Sequence, residues 1–228
     1  LFTLTIEKGQ EKEATKAVQA LIGDGALAGQ APDLATTQHA ANAEVLNALY
    51  ILLPAISIIL LLSTTSWVEP LLFFAAIGIS ILINMGTNLF LGQISFITFS
   101  VSPILQLACS LDYAIFLLHS FADNRKKYPN LNEAMLHSIK ESISTIAASA
   151  ATTLFGFIAL VFMNFKIGAD LGLNLAKGIV LSFISVIVFL PALTLSTYKL
   201  IDKTRHKPLM PAFLNAHKVI SKLSVLAV

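Results

Sequence analysis

One pair of adjacent side chains in this sequence could handle protons inside an apolar segment. Asp112 and Tyr113 stand in a long apolar run, and Asp112 is the one acid that lies well inside such a run. A carboxyl at membrane depth costs about 2.5–3.5 kcal/mol on insertion scales, so an acid there indicates a function. Low dielectric favours the neutral carboxyl, which can load and release a proton as water access changes. The alternative is a permanently protonated Asp112 that makes one structural hydrogen bond.

Hydroxyl groups on a later apolar segment could line the same site. Ser149, Thr152 and Thr153 reach a depth similar to that of Asp112 if the two segments are antiparallel helices. The alanines around Ser149 are small enough to let two helices approach closely. These hydroxyls could instead bond their own backbone carbonyls, as Ser and Thr often do in apolar helices. Ser110, just before the acid, is a further supporting candidate.

Two residues on the segment of Asp112 could extend its polar face. His119 follows Asp112 by seven residues, about two helical turns, and could relay protons towards the cytoplasm. The alternative for His119 is an ordinary histidine at the membrane interface. Gln106 lies seven residues before Tyr113 and could continue the polar face outward.

Other polar residues within apolar segments indicate helix contacts. Asn84 and Asn88 stand four residues apart, on one helical face, and could bond a neighbouring helix. Lys177 lies near the end of its segment, where we expect its long side chain to reach outward to water rather than pair with Asp112.

Composition defines the class of protein that carries these residues. The chain has 228 residues, of which 56% are hydrophobic and 12% charged, whereas a soluble domain carries about 25% charged residues. Its mean hydropathy is +0.78. This balance excludes a soluble or disordered protein, and the net charge of +2 does not suggest a nucleic acid partner. One cysteine excludes a disulfide scaffold. What remains is an integral membrane protein.

Five apolar segments are each long enough to cross a hydrocarbon core of about 30 Å as a helix. They fall at residues 45–63, 69–91, 96–121, 143–164 and 170–198. The predicted fold class is therefore an all-α polytopic membrane protein whose transmembrane domain, residues 45–198, is a five-helix bundle.

The remaining residues form polar pieces outside the spans. Residues 1–44 predict a short α+β unit, with a strand at Leu1–Ile6 and a helix at Glu11–Ile22. The loop at 123–142 carries a basic cluster and an amphipathic stretch, typical of a helix lying at the membrane surface. Residues 199–228 begin with basic residues and end on an apolar run, as expected if the chain is an internal piece of a longer protein.

The basic residues predict an orientation. Lysines and arginines concentrate in the 123–142 loop and directly after the fifth span, at 199–207. The positive-inside rule places both on the cytoplasmic side. With five spans, the N-terminal residues 1–44 then lie outside the cell membrane and the C-terminus lies inside.

No arrangement of residues typical of an enzyme or a cofactor site occurs. A phosphate-binding loop of the kind that holds ATP is missing, so ATP is not the expected energy source. The five histidines show no spacing suited to a metal. We therefore expect no cofactor, with protons as the coupling ion.

The run Ser110–Leu118, with sequence SLDYAIFLL, resembles the fourth transmembrane helix of the MMPL branch of the resistance-nodulation-division transporters. The resemblance covers about residues 45–228, and the Asp-Tyr pair is its most specific element. Further segments similar to this family are Gln93–Thr98, Thr152–Phe157, Asp170–Leu173 and Leu190–Leu193.

The resemblance implies a function and a larger protein. In this family the Asp-Tyr pair carries the proton that drives export, a role that would fall to Asp112 and Tyr113. The five spans would be helices two to six of a twelve-helix protein of the bacterial cytoplasmic membrane. Residues 1–44 would end the first extracellular porter domain, and residues 199–228 would lead to helix seven. The implied partners are membrane lipids, a lipid or other hydrophobic substrate and the second half of the same polypeptide; the chain could also form a homo-oligomer.

A second class of function is compatible with the same five helices. The sterol-sensing domain is related to this set of helices, and it binds lipid and changes its partner contacts without pumping. The Asp-Tyr pair within a helix favours the pump.

Overall fold

A computed structural model describes residues 3–6, 10–23, 25–64, 66–91 and 94–204. Every regular element in this part of the chain is helical. The helices are α1 (Glu11–Ile22), α2 (Gln30–Ser63), α3 (Glu69–Gly86), a 3₁₀ turn (Thr87–Leu91), α4 (Phe96–Cys109), α5 (Leu111–Asn124), α6 (Leu131–Val161), α7 (Lys166–Ser196) and α8 (Tyr198–Lys203).

Five helical units are long and apolar enough to cross a membrane within the described ranges: α2, α3, the α4–α5 pair, α6 and α7. This confirms the predicted all-α polytopic fold with five spans. The units alternate in direction, so the loop at 125–130 lies at the same end of the bundle as α8, where Arg125 pairs with Asp202 at 2.7 Å. We call this the basic end, and the end that holds residues 94 and 95 the opposite end.

The N-terminal α+β unit is not found. Residues 3–6 are not in a strand, and residues 1 and 2 of the expected strand Leu1–Ile6 lie outside the described residues. A strand needs a neighbour to receive its backbone hydrogen bonds, and the described part of the chain offers no partner strand. The expected helix at Glu11–Ile22 is confirmed as α1.

The amphipathic stretch Leu131–Ile139 of the 123–142 loop, expected as a helix at the membrane surface, forms the first turns of the long helix α6. No proline interrupts the sequence from Leu131 to Val161, so nothing ends the helix between the amphipathic stretch and the span. Asn130 caps the start of α6, its side-chain oxygen accepting a hydrogen bond from the Asn132 amide at 3.0 Å. Of the expected linker at 199–228, the first residues lie in α8, and residues 205–228 lie outside the described part of the chain.

Helix α7 lies at the centre of the bundle, where it packs against α3, α4, α5 and α6. Its closest approach to α6 depends on Gly172. A Cβ atom at that position would lie 2.6 Å from the Phe157 carbonyl oxygen and 2.8 Å from Leu160 Cβ. Small residues at helix contacts allow the close packing that holds apolar bundles together in a membrane.

The third span is divided at Ser110. The Ser110 hydroxyl donates to the Gln106 carbonyl oxygen at 2.6 Å, and the Ser110 amide donates to the same oxygen at 3.1 Å. A serine that bonds back to the preceding turn in this way often bends a helix. The break ends α4 and begins α5, so Asp112 lies in the first turn of α5 rather than in the middle of a helix.

Candidate functional site

The carboxyl group of Asp112 connects α5 to α6. Its Oδ2 accepts a hydrogen bond from the Ser149 hydroxyl at 2.8 Å, and its Oδ1 accepts one from the Tyr113 backbone amide at 3.0 Å. The first turn of a helix presents amide hydrogens and a partial positive charge, which stabilise a carboxylate. The break at Ser110 therefore gives Asp112 a backbone donor in addition to the Ser149 hydroxyl, at a depth where the charged form would otherwise be costly.

The ring of Tyr113 is fully buried in the core beside Asp112. Its hydroxyl lies next to the Thr153 side chain, but it forms no hydrogen bond of good geometry within the described part of the structure. A phenolic hydroxyl can both donate and accept. Tyr113 thus holds an uncommitted proton-handling group on the same α5–α6 interface as Asp112.

The structure separates the three hydroxyl candidates on α6. Ser149 faces Asp112 and donates its hydroxyl hydrogen to the carboxyl. Thr153 donates to the Ser149 carbonyl oxygen at 3.1 Å, and the exposed Thr152 donates to the Ala148 carbonyl oxygen at 2.9 Å. For the two threonines the alternative of a bond to their own backbone is the one observed.

His119 lies away from this interface. Its side chain is 71% exposed, and its Nε2 is 3.6 Å from the Asp123 carboxylate. From Asp112 to the end of α5 at Asn124 the helix rises about 18 Å at 1.5 Å per residue. His119 is about halfway along this distance, and its exposed side chain lies outside the Asp112 contact.

A second polar region runs through the interior of the bundle, between α3, α4 and α7. On each of these helices the residues that meet there are spaced four apart, so they share one helical face. We call this region the polar seam, and its side chains are almost completely buried. It consists of Ser80 and Asn84 on α3, Asn88 on the 3₁₀ turn that follows, Thr98, Ser102 and Gln106 on α4, and Asn174, Gly178 and Ser182 on α7.

Gln106 holds the middle of the polar seam. Its Nε2 lies within hydrogen-bond distance of Ser80 Oγ at 2.8 Å, Ser182 Oγ at 3.0 Å and the Gly178 carbonyl oxygen at 3.1 Å. Its Oε1 accepts from Asn84 Nδ2 at 2.9 Å. Gly178 makes this approach possible, because a Cβ atom there would lie 2.9 Å from Gln106 Oε1. A single amide thus joins all three helices.

Asn174 holds the part of the polar seam nearer the opposite end. Its Oδ1 accepts from the Ser102 hydroxyl at 2.6 Å and from Asn84 Nδ2 at 3.2 Å. Its Nδ2 donates to Asn88 Oδ1 at 2.6 Å. The predicted contact of Asn84 and Asn88 with a neighbouring helix is therefore present, and that helix is α7.

Lys177 turns towards α3 instead of reaching outward. Its ammonium donates to Asn88 Oδ1 at 2.5 Å and to the Asn84 carbonyl oxygen at 3.1 Å. None of the ion pairs found among the described residues includes Lys177. A cation inside a candidate span is thus held by neutral oxygens at the edge of the polar seam.

Sequence reasoning missed part of this region. The sequence indicates polar helix faces at Gln106, Asn84 and Asn88. It does not identify Ser102 and Asn174 as their partners. The available signal was the shared four-residue spacing on three different segments. In the described ranges, no group of three His, Cys, Asp or Glu side chains could hold a metal ion.

The fold and these two polar regions define an all-helical, multi-pass membrane protein with a carboxyl–hydroxyl contact inside its bundle. Comparison with protein families gives the particular assignment. The model of the MMPL family matches residues 7–208. The chain belongs to the MMPL family.

Individual relatives share only parts of the chain. A membrane protein of Methanocaldococcus jannaschii is 35% identical over 89 residues, which is 39% of this chain and 23% of that protein. Membrane protein ActII-3 of Streptomyces coelicolor is 23% identical over 72% of this chain and 24% of its own length. The sulfolipid-1 exporter MmpL8 of Mycobacterium tuberculosis is 28% identical over 41% of this chain and 8% of its own length. The matches therefore cover less than a quarter of these relatives.

Proposed function

We propose that this chain is part of an exporter that uses the proton motive force to move lipids or other hydrophobic molecules across a bacterial cytoplasmic membrane. Asp112 and Tyr113 act as its proton relay. The observation that carries the proposal is the hydrogen bond from Ser149 on α6 to the Asp112 carboxyl on α5. Membership of the MMPL family supports transport, and a relative named as a sulfolipid-1 exporter supports a lipid-like cargo.

Protonation of Asp112 would change the contact between two helices. While the carboxyl is ionised, both of its oxygens accept hydrogen bonds, one of them from Ser149. A protonated carboxyl also donates, so the Ser149 hydroxyl must turn to accept or must release the contact if the proton sits on Oδ2. Loading a proton would thereby alter how α5 packs on α6, and this is the step that would drive export.

Tyr113 would carry protons to and from the carboxyl. Its buried hydroxyl has no hydrogen bond of good geometry within the described residues, so it is free to bond a neighbouring carboxyl or a water molecule during the cycle. A phenol can pass a proton by donating one while accepting another. The rest of the polypeptide would provide the second half of the bundle and the cargo-binding domain.

The proposed orientation places the basic end in the cytoplasm. Arg125, Lys126 and Lys127 lie there together with α8, and the positive-inside rule favours that side. The opposite end then faces outward and supplies the protons. Only 11% of the residues in the apolar stretch of α2, and likewise of α6, are buried, as expected if lipid or further helices cover these two spans.

The experiment is export by the complete transporter in energised membrane vesicles. Asp112→Asn should abolish proton-coupled export while the protein still inserts in the membrane. The matched control is Asp123→Asn, because that carboxyl is half exposed and bonded to Lys126 at 2.7 Å. Normal export by the Asp112 variant would overturn the proposal. Saturable sterol binding with no dependence on pH, in a protein that does not export, would instead assign it to the sterol-sensing class.

A further inference from the structure

The polar seam runs along α4 from the opposite end of the bundle to the break that precedes Asp112. On α4 its residues continue to Ser110 at the same spacing, giving Thr98, Ser102, Gln106 and Ser110, all with 0% exposure. At 1.5 Å per residue this polar face is about 18 Å long. It ends at Ser110, at the break between α4 and α5.

The outer end of the polar seam is reached from a cavity. The cavity has a volume of about 540 Å³ and lies where α2, α3 and α4 meet at the opposite end. Its wall includes Asn88, the residue whose Oδ1 accepts from Lys177. Water that enters this cavity would therefore meet the polar seam at Asn88, the residue that holds the Lys177 ammonium.

Several atoms of the polar seam lack the partners that burial demands. Asn84 Oδ1, Asn88 Nδ2 and Thr98 Oγ1 are buried and have no hydrogen bond within the described part of the structure. A buried polar group without a partner costs about 1–3 kcal/mol, and ordered water is its usual partner in proteins. Three such atoms in one region indicate an interior that accommodates water rather than a closed network of side chains.

One hydrogen bond of the polar seam can also reverse. Gln106 Nε2 only donates, and its two hydrogens have three oxygens in reach. Ser80 and Ser182 lie 3.1 Å apart, and either hydroxyl can be the donor. Proton transfer along hydroxyls and water requires that each group both accepts and donates.

Resting on the proposed function, we infer that the polar seam is the route by which protons pass from the opposite end of the bundle to Asp112, with Lys177 as the carrier at its mouth. The Lys177 ammonium gives one proton from Nζ to a water or hydroxyl of the polar seam, so an N–H bond breaks and an O–H bond forms. That group passes a proton on towards Asp112, and the amine takes a proton from a hydronium ion in the cavity, which becomes water. The net result is one proton moved inward.

The charges around Lys177 suit this role. Of the titratable side chains, α3 and α4 present none to the polar seam, where their members are serine, threonine and amide residues. On α7 the nearest acid is Asp170, whose Oδ2 accepts from the Ser95 amide at 2.7 Å. The next carboxyl along the route is Asp112. A fixed ammonium at the mouth repels sodium and potassium, whereas a proton can pass because the ammonium itself exchanges it.

The test is the rate of proton uptake by the complete transporter, reconstituted in one orientation with a pH-sensitive dye inside the vesicle. Acid is added on the side of the opposite end. Lys177→Arg keeps the charge and the donors but cannot release a proton. We expect this variant to take up protons about a hundredfold more slowly, at the low end of what a positioned proton-transfer group contributes. The same loss is expected for Lys177→Met.

Controls separate this inference from the proposed function and from misfolding. Thr194→Ala removes a buried hydroxyl that bonds its own helix at Leu190, and it should leave the rate unchanged. If the wild-type transporter takes up protons and Lys177→Arg does so at the same rate, the inference is overturned and the role of Asp112 stands. If the wild type takes up none, the proposed function fails. Should both Lys177 variants fail to fold, Ser102→Ala carries the test: slower uptake supports the route, and a wild-type rate overturns it.

Discussion

Ser149 on α6 donates its hydroxyl hydrogen to Asp112 Oδ2 on α5 at 2.8 Å. The contact joins two different helices. Helix α5 begins directly after the break at Ser110, whereas α6 runs unbroken from Leu131 to Val161. It stabilises the ionised carboxyl and is disturbed when the carboxyl is protonated. The proposed coupling of protons to helix movement depends on this one hydrogen bond.

Replacing Ser149 should therefore impair export without preventing folding. A hydrogen bond to a charged group contributes about 1.5–3 kcal/mol, so Ser149→Ala should slow proton-coupled export about tenfold or more. Ser149→Thr keeps the hydroxyl and should retain most of the rate. Thr152→Val is the matched control, because that exposed hydroxyl bonds only the Ala148 carbonyl. Equal export by the Ser149→Ala variant and the control would contradict the role of this contact.

The polar seam should fail when α7 can no longer approach α4. A Cβ atom at Gly178 would lie 2.8 Å from Asn84 Nδ2 and 2.9 Å from Gln106 Oε1. Overpacking of this kind costs about 1–3 kcal/mol, so Gly178→Ala should lower the thermal unfolding temperature of the purified protein. Gly156→Ala tests the same chemical change in open space, since nothing lies within 4 Å of a Cβ there. Identical unfolding temperatures for the two variants would show that the seam tolerates separation.

Asn124 should matter for stability at the basic end. This buried amide donates to Glu141 Oε2 at 2.7 Å and to Ser138 Oγ at 3.2 Å, which ties the end of α5 to the first turns of α6. Asn124→Ala removes the donor to the buried Ser138 hydroxyl, at a cost of about 0.5–1.5 kcal/mol in the free energy of unfolding, whereas the exposed Glu141 carboxylate keeps its bond from Ser120. The exposed Asn132→Ala should cost far less. Denaturant unfolding in detergent measures both, and an equal loss would refute the assigned role.

The orientation can be tested by thiol labelling in a Cys109→Ala background. A cysteine at Lys126, exposed at the basic end, should react with a membrane-impermeant reagent only after the cells are permeabilised. A cysteine at Asn164, exposed at the opposite end, should react in intact cells. The reverse pattern would place the basic end outside and would contradict the direction assigned to proton flow.

The sequence was most informative where a residue type was costly in its setting. Asp112 could be identified as a candidate functional residue because a carboxyl in an apolar run has few structural explanations. The five spans could be predicted from the length and apolar composition of their segments. The choice of Ser149 over Thr152 and Thr153 could not be made, because it depends on the rotation of α6 about its own axis. Depth along a helix is set by residue number, whereas the direction of a side chain towards a partner helix is not.

The break at Ser110 could not be predicted from the sequence either. Neither glycine nor proline stands at that position, and the cause is a serine hydroxyl that competes for the Gln106 carbonyl. The contact of Asn84 with Asn174 joins residues 90 positions apart, so it required knowledge of which helices are neighbours. The expected strand at Leu1–Ile6 was wrong for a related reason, since β-branched residues form a strand only where another strand can pair with them.

The most direct test of the central claim is to observe the proton on Asp112 itself. Infrared difference spectra of the complete transporter, recorded between acid and neutral conditions, report the carbonyl stretch of protonated carboxyl groups. We predict a band that is present in the wild type and in Asp123→Asn and is missing in Asp112→Asn. The same band in the Asp112→Asn variant would show that another group takes up the proton and would contradict the account.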